Sequence, residues 1–568
     1  MSLTYKPLPI GVDDFEMLIT RGYYFVDKTL FIKELLDKKG SVNLFTRPRR
    51  FGKTLGLSIL KYFFEDERKA DGTKKENAYL FEGLNIMREG DGYLSHMGQY
   101  PVISLSLKSG KQPDFEMARA SLIDELQKEF QRHKYILRGD ALDGFQKEKF
   151  EKLRTGKAEK IGYAKSLEFL SKCLEDYHQR KTIILIDEYD VPLENAFMEG
   201  FYKEMTGFIR SLFESALKTN SSLEFAVITG CLRISKESIF TGMNNLKIIS
   251  ILNEQYDEYF GFTEDEVKLI CEDYGMPQKY DTFKEWYNGY VFGNANVYNP
   301  WSVIQFMDDL KENMNCFPSS YWANTSSNSI VRSLIDMADG DTKGEIEALI
   351  EGKTLVKPIH EDITYGEIYE TMDNLWNFMF FTGYFRKVSD WMDEKTKEHF
   401  LELTIPNEEV KYIFRQKILS WFGAKVKAKD RTRLMQAVID CDVETMEEEI
   451  TELLLETISF NDAYESFYHG FLTGILSGIK GYIVKSNREG RRGRSDLFIY
   501  PVTRRKAAFV VEFKVAKSIR GLEKSAGEAI QQIKDREYAK ELNDNGYEVV
   551  HKYGIAFYGK DCQVLYEE

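Results

Sequence analysis

Two acidic residues and a lysine near the C-terminus form a pattern that could hold a metal ion beside a phosphate. Asp496 lies in one apolar, strand-like segment, and Glu512 and Lys514 lie in the next one. Side chains alternate along a strand, so Glu512 and Lys514 are expected on the same face. If the loop 502–506 joins the two segments as a hairpin, Asp496 and Glu512 face each other with their Cβ atoms about 5 Å apart.

Carboxylates placed this close in apolar surroundings repel each other unless a cation joins them. Their oxygen atoms suit Mg²⁺, with Mn²⁺ as an alternative, and a nearby lysine suits a phosphate. The pattern therefore predicts metal-assisted hydrolysis of a phosphodiester. Residues 485–520 contain eleven Lys or Arg against three Asp or Glu, which would attract a nucleic-acid backbone. A solvated basic hairpin is the alternative interpretation of the charge alone.

A second pattern, near the N-terminus, is typical of phosphate binding. The apolar segment 42–46 leads into a loop that ends in Gly52, Lys53 and Thr54, and an apolar helical pattern follows. In this context backbone N–H groups and the helix N-terminus hold phosphates. Lys53 is predicted to reach the β and γ phosphates, and Thr54 to bind Mg²⁺. Arg47 stands where the usual motif has its first glycine.

Two further buried-strand patterns complete the predicted nucleotide site. One ends at Asp187, which is predicted to hold Mg²⁺, and the adjacent Glu188 could orient the attacking water. The other spans 223–230 and places Thr229 where it could sense the γ-phosphate. Arg233 follows as a second candidate contact to that phosphate.

Three more charged residues lie beside these patterns. Arg49 and Arg50 in the loop are assigned to nucleotide binding. Asp190 precedes Val191 and Pro192, which predicts a helix-cap role rather than a catalytic one.

Composition narrows the class of protein. At 568 residues the chain is too long for a single core, and about three to four domains are expected. No apolar run approaches the ~20 residues needed to cross a bilayer, and the first residues lack a signal pattern. The six cysteines are scattered without a CxxC spacing, and the seven histidines are dispersed, so neither zinc nor disulfides are predicted. A cytoplasmic protein without a membrane partner is expected.

Together the two patterns resemble bacterial AAA-ATPase-like proteins fused to a PD-(D/E)XK nuclease domain, a type common in Bacteroidetes. At the N-terminus the resemblance rests on residues 11–15, 24–29, 47–54, 186–190, 233–240 and 286–302. At the C-terminus it rests on residues 464–470, 493–496 and 512–514, with Gln532 and Tyr538. An arginine at the position of Arg47 is normal for such proteins.

The resemblance implies roles for individual residues. In PD-(D/E)XK nucleases a helix acid, here Glu465, joins the two strand acids Asp496 and Glu512 at the metal. Lys514 would position the water and the phosphate, and Gln532 on the following helix would line the site. The implied cofactors are ATP and Mg²⁺, and the implied substrate is nucleic acid, with DNA favoured over RNA.

The resemblance also implies an α/β multidomain architecture. It consists of an AAA-like P-loop domain with a parallel sheet over 1–255, a helical lid over 256–340, a helical or winged-helix connector over 341–457, and a restriction-endonuclease-like nuclease domain over 458–568.

Three functional hypotheses follow. The first is a Mg²⁺-dependent nuclease controlled by ATP, with a role in defence or mobile elements. The second is a nucleotide switch whose nuclease-like domain binds nucleic acid or a partner without cutting. The third is a DNA-translocating motor. Such motors form rings and take an arginine from a neighbouring subunit, for which Arg49, Arg50 and Arg233 are candidates, so a homo-oligomer stays open.

Overall fold

The structure is a computed structural model of the chain. It describes residues 5–568 apart from 233–238, 241, 323–339, 351, 362–363, 369, 415–431, 458–467, 469–470, 473–474, 477–478, 480, 491–492, 502–505, 537–541 and 543–546.

The chain divides into two compact units. The first comprises Met1–Thr325 and Thr354–Lys411, and the second comprises Ser326–Lys353 and Tyr412–Glu568. The segment 354–411 therefore packs with the N-terminal region. The finer division into four domains stays a prediction.

A five-stranded parallel sheet forms the centre of the first unit. Its strands, in chain order, are β1 Val42–Thr46, β2 Val102–Ser106, β3 Thr182–Asp187, β4 Leu223–Gly230 and β5 Leu246–Ile249. They lie side by side in the order β2-β3-β4-β1-β5. Every residue of β1 and β3 is buried, as expected for strands that helices cover on both faces. Because the strands are parallel, the carboxyl ends of β1, β3 and β4 meet at one edge.

Helices accompany this sheet and extend beyond it. Those of the N-terminal region are α1 Phe15–Thr20, α2 Leu30–Lys38, α3 Lys53–Phe64, α4 Asp91–Leu94, α5 Phe115–Arg132, α6 Gly144–Arg154, α7 Lys160–Ala164, α8 Ser166–His178, α9 Val191–Glu199 and α10 Tyr202–Phe213. Those of the region predicted as a lid are α11 Glu264–Asp273, α12 Tyr280–Tyr287 and α13 Pro300–Glu312. These last three pack around one apolar cluster that includes Val267, Phe283 and Phe306.

Small antiparallel sheets complete the first unit. Strands β6 Tyr290–Phe292 and β7 Ala295–Val297 form a hairpin. Strands β8 Leu355–Pro358, β9 Arg386–Met392 and β10 His399–Thr404 form a sheet in the order β8-β10-β9. The connector predicted to be helical or winged-helix thus contains a three-stranded sheet. Of the helices in this connector, α15 Met372–Phe381 belongs to the first unit, whereas α14 Gly340–Ile350, α16 Thr432–Asp440 and α17 Val443–Thr457 belong to the second.

The second unit is built on a five-stranded mixed sheet. Its strands are β11 Tyr482–Gly490, β12 Gly493–Pro501, β13 Ala508–Val515, β14 Val550–Tyr558 and β15 Asp561–Glu567, in that order across the sheet. Only the pair β13 and β14 is parallel among these described strands, and helix α18 Leu522–Asp535 lies between them in the chain.

Both faces of this sheet are covered by apolar packing. Leu497, Val511 and Phe513 belong to the cluster that includes residues of α16 and α17. The opposite face carries Val510, which clusters with Ile533 of α18. This second face is also the one that Glu512 and Lys514 share, because the side chains of β13 alternate.

Candidate functional site

The loop after β1 is anchored by a buried arginine in place of a glycine. Arg47 is fully buried, and its guanidinium donates to the carbonyl oxygens of Thr46 and Ile249, each at 3.0 Å. Its charge lies over the rings of Phe260 and Phe292, 5.4 and 5.2 Å from their centroids. Arg47 therefore holds the loop against the protein interior.

The turn into helix α3 needs left-handed backbone at two positions. Arg50 has a φ of 70° and Gly52 a φ of 79°. At the first residue of α3, the Lys53 ammonium donates to the carbonyl oxygens of Arg47 and Pro48 at 2.9 and 2.8 Å. The lysine predicted to bind phosphates thus lies inside the loop, with its amine at the centre of the turn.

Three of the predicted nucleotide-site residues, Thr54, Asp187 and Thr229, lie in contact with one another through the Asp187 carboxylate. The Thr54 hydroxyl donates to one carboxylate oxygen of Asp187 at 2.7 Å, and the Thr229 hydroxyl donates to the other. Asp187 and Thr229 are buried. The order of the strands explains this meeting, because β4 lies between β1 and β3 and brings Thr229 to the carboxyl end of both.

Glu188 follows with an unusual backbone. Its φ is 51°, a left-handed conformation that a non-glycine residue rarely adopts. Burial raises the pKa of Glu188, and the neighbouring charge of Asp187 raises it further. Its Oε2 atom is buried and has no hydrogen-bond partner among the described residues.

Asp190 does not act as predicted. It occupies the residue before helix α9, but its side chain makes no capping hydrogen bond. Instead its carboxylate accepts the backbone N–H groups of Cys231 and Leu232 at 2.7 and 3.2 Å. The helix-cap prediction was therefore wrong for the side chain. The loop after β4 lies close enough for its backbone N–H groups to bind the Asp190 carboxylate instead.

A glycine at the end of β4 permits that approach. A Cβ atom on Gly230 would lie 2.4 Å from a ring carbon of Tyr189 and 2.9 Å from the Asp190 carboxylate. Glycine inside a strand often marks a close backbone approach, so this position could have been found in the sequence. The Cys231 thiol beyond it lies 3.8 Å from the Lys53 ammonium.

The two loop arginines assigned to the nucleotide are both engaged with protein groups. Arg49 forms an ion pair with Glu194 on α9. The guanidinium of Arg50 lies 4.1 Å from the centroid of the Trp301 ring on α13. Arg233 lies outside the described residues. Glu194 and Trp301 were not singled out for these contacts in the sequence, since both partners are distant along the chain.

The second unit brings together three of the predicted nuclease residues. Glu512 is buried, and Lys514 lies two residues farther along β13. The Gln532 side chain on α18 joins them: its amide nitrogen donates to Glu512, and its carbonyl oxygen accepts from the Lys514 ammonium at 2.5 Å.

The strand register agrees with the predicted position of the remaining acid. Leu497 pairs with Val511 and Ile499 with Phe509, so one more step along this register brings position 496 opposite position 512. Position 496 lies on β12, and its side chain is outside the described part of the chain. Glu465 also lies outside the described residues. Within that described part, no group of three or more His, Cys, Asp or Glu side chains is placed to hold a metal ion.

Two family models match the chain. Residues 9–240 match the model described as "Predicted AAA-ATPase", and residues 463–567 match the model described as "PD-(D/E)XK nuclease superfamily". The chain joins an AAA-ATPase-like region to a PD-(D/E)XK nuclease-superfamily region. The family prediction is confirmed for both ends.

Similar proteins add context. The chain is 28% identical over 305 residues to a protein of Azotobacter chroococcum mcd 1 described as "Uncharacterized protein in vnfD 5'region". The match covers 53% of this chain and 52% of that protein, so the chain spans about half the length of this curated relative. Among solved structures it is similar to a Walker-type ATPase of Pyrococcus abyssi, with a TM-score of 0.34, 14% identity, and coverage of 73% of this chain and 100% of that one.

No helix among the described residues combines the length and the apolar character needed to cross a membrane.

Proposed function

We propose that this enzyme hydrolyses ATP at its N-terminal region and cleaves DNA at its C-terminal region, with Mg²⁺ at both sites. The observation that carries the nuclease assignment is the Gln532 side chain, which joins the buried Glu512 to Lys514. A carboxylate, a lysine and an amide on one face of a sheet are suited to hold a metal ion and a phosphodiester side by side.

The ATPase assignment is supported by the cluster around Asp187. Thr54 and Thr229 bind its two carboxylate oxygens, so three oxygen-bearing side chains converge where a hard cation would be held. Lys53 would bind the β and γ phosphates, and Gly52 with the following helix would supply backbone N–H groups. Glu188 would hold the attacking water, and its raised pKa suits a group that accepts a proton.

The chemistry of the donor atoms fits Mg²⁺ at both ends, because the candidates are carboxylate and hydroxyl oxygens. In the ATP site these are Thr54 and Asp187, and in the nuclease site Glu512 with Asp496 and Glu465. A bound Mg²⁺ would stabilise negative charge that develops on the phosphate. Mn²⁺ has the same ligand preference and is expected to substitute. In the nuclease site Lys514 would contact the phosphate, while Gln532 bridges the lysine and the carboxylate of Glu512.

Plasmid cleavage by the full chain tests the nuclease. Supercoiled plasmid would be incubated with Mg²⁺ or Mn²⁺, with and without ATP, and compared with Lys514→Ala and Glu512→Gln. We expect nicked or linear products that both variants lose, because each removes a group that contacts the metal or the phosphate. Lys534→Ala is the matched control, since Lys534 lies on α18 but pairs with Glu567 at 2.6 Å.

The ATP arm of the same experiment separates the rival hypotheses. In Lys53→Ala we expect ATP hydrolysis to be lost, and any change in cleavage would show how ATP controls the nuclease. If the protein hydrolyses ATP but does not cleave the plasmid with either Mg²⁺ or Mn²⁺, the result would contradict the proposed nuclease activity and support a nucleotide switch.

We infer a cytoplasmic enzyme that acts on DNA, in defence or on mobile elements. Arginine from a neighbouring subunit would complete the ATP site if the chain forms a ring; Arg49 and Arg50 are the described candidates.

A further inference from the structure

The turn that follows β13 exposes an apolar side chain between two cations. Ile519 keeps 57% of its surface exposed, and Lys517 and Arg520 are exposed beside it. The 3₁₀ turn Ile519–Gly521 leads directly into helix α18. None of the ion pairs formed within the described part of the second unit includes Lys517 or Arg520.

The charge of this turn contrasts with that of the whole chain. The net charge of the protein is −14, yet residues 514–524 contain four Lys or Arg and one acid, Glu523. Lys517 lies two residues before Ile519, and Arg520 follows Ile519 directly. A local positive field on an acidic protein favours a polyanionic ligand at this place.

The position of the turn relates it to the candidate nuclease site. Gln532, which binds Glu512 and Lys514, lies ten residues after the first residue of α18. At 1.5 Å per residue the helix places the turn about 15 Å from that site. DNA rises about 3.4 Å per base pair, so the separation corresponds to about four to five base pairs. Because α18 covers the face of the sheet that carries Glu512, the turn and the site border the same surface.

We propose that residues 517–520 grip duplex DNA beside the cleavage site. Lys517 and Arg520 bind phosphates, and Ile519 inserts at a base step in the minor groove. Minor-groove binding proteins commonly combine basic side chains with an apolar side chain, such as isoleucine, that is inserted between base steps. The inference rests on the proposed nuclease function, and it adds that the substrate is double-stranded and is distorted when it binds.

Binding without cleavage tests the proposal. The full chain with Glu512→Gln would be titrated with a fluorescein-labelled duplex of about 20 base pairs, between about 50 and 200 mM salt, and followed by fluorescence anisotropy. We expect Lys517→Gln with Arg520→Gln to reduce the slope of log K against log salt by about 1.8, because two phosphate contacts are lost. Ile519→Ser should weaken binding about five- to tenfold with an unchanged slope, because its contact is apolar.

Arg433→Gln is the control variant. Arg433 is an exposed cation on α16, which packs on the other face of the sheet, so it should change neither affinity nor slope. An unchanged slope in the double variant would overturn the proposal, and so would unchanged affinity in Ile519→Ser, equal affinity for the single strand, or no binding to the duplex. Plasmid cleavage is scored separately, so a chain that grips the duplex through this turn but never cuts supports the inference and contradicts the proposed nuclease.

Discussion

At the scale of single residues, Glu188 combines features that ordinary structural residues avoid. Its backbone is left-handed, and its buried Oε2 atom has no partner among the described residues. Strain and a buried unpaired oxygen together destabilise the fold by a few kcal/mol, so they persist where the surroundings enforce them, often at functional sites. Burial holds its pKa above the ordinary value, which suits a proton acceptor.

Glu188→Gln should therefore separate binding from hydrolysis. The amide cannot accept the proton of the attacking water, so we expect hydrolysis to fall by about 10²- to 10⁴-fold while nucleotide binding is retained. Phosphate release and a fluorescent nucleotide measure the two quantities. Glu224→Gln, at an exposed position of β4, serves as the control and should leave both unchanged. Equal losses of binding and hydrolysis would contradict the assigned role.

A second carboxylate links stability to pH. Glu409 is fully buried and accepts only neutral donors among the contacts described: the Ser302 hydroxyl at 3.0 and 2.9 Å, the Trp322 backbone N–H at 2.9 Å and the Tyr321 backbone N–H. Burial raises the pKa of Glu409 to about 7. Between the ordinary pKa of 4.5 and about 7, Glu409 therefore carries a proton in the folded protein but has released it in the unfolded chain.

The raised pKa determines how the contribution of Glu409 to stability changes with pH. The stabilisation by protonated Glu409 is complete below the ordinary pKa of 4.5 and is lost as the pH rises through about 7. We expect Glu409→Gln to raise the melting temperature of the first unit at pH above 7, because an amide stays neutral, and to have little effect at low pH. Thermal melts from acid to alkaline pH measure this. The exposed Glu398→Gln is the comparison, and a parallel shift at every pH would refute the linkage.

At the scale of elements, helix α18 is placed by one glycine. A Cβ atom on Gly554 of β14 would lie 2.3 Å from the Ala526 carbonyl oxygen and 2.8 Å from a side-chain carbon of Ile530. Gly554 pairs with Glu512 across the parallel strands. The close approach of α18 to the sheet is therefore a condition for Gln532 to reach Glu512.

Gly554→Ala should disturb the nuclease site without touching its residues. The backbone of α18 must move away from the sheet, which we expect to destabilise the second unit by about 1–3 kcal/mol and to reduce cleavage. Gly527→Ala on α18 is the matched control, because its Cβ would meet only Leu565 at 3.9 Å and alanine favours a helix. Melting temperature and plasmid cleavage report both effects. Full activity in Gly554→Ala would show that α18 tolerates the shift.

The bounds of elements were predictable where the pattern was apolar. Strands β1 and β4 begin and end where the buried-strand patterns do, and β3 ends at Asp187 as predicted. The edge strand β9 is different, since five of its seven residues are exposed and only two are partly buried. An exposed strand carries no apolar run. Residues 386–392 form a strand because they pair with β10, and their composition does not indicate it. The sequence also did not indicate β11 and β15 at the edges of the second sheet.

At the scale of the whole molecule, the two compact units predict two unfolding transitions. Binding of Mg²⁺ and ATP stabilises only the unit that binds them, by about 2.7 kcal/mol at one hundred times the Kd. We expect calorimetry to show the transition of the first unit at a higher temperature with nucleotide, and no such shift in Lys53→Ala. A single transition that ATP shifts as a whole would instead show that the units unfold cooperatively.

The sequence alone indicated the family at both ends and the candidate residues of each site. A phosphate-binding loop must have glycine, lysine and threonine in adjacent positions, and a strand must alternate its side chains, so Lys53, Thr54, Glu512 and Lys514 were recognisable from local spacing. The hairpin register that places position 496 opposite position 512 was also local, because a short loop sets it.

Only the tertiary structure decided which distant groups complete these sites. Arg47 anchors its loop on Ile249, Asp190 binds the loop after β4, and Arg49 pairs with Glu194. These partners come from elements whose neighbourhood depends on strand order and on helix packing. The spacing of residues along the chain gives neither the strand order nor the helix packing. Contacts between elements form only when the chain buries its apolar faces against each other.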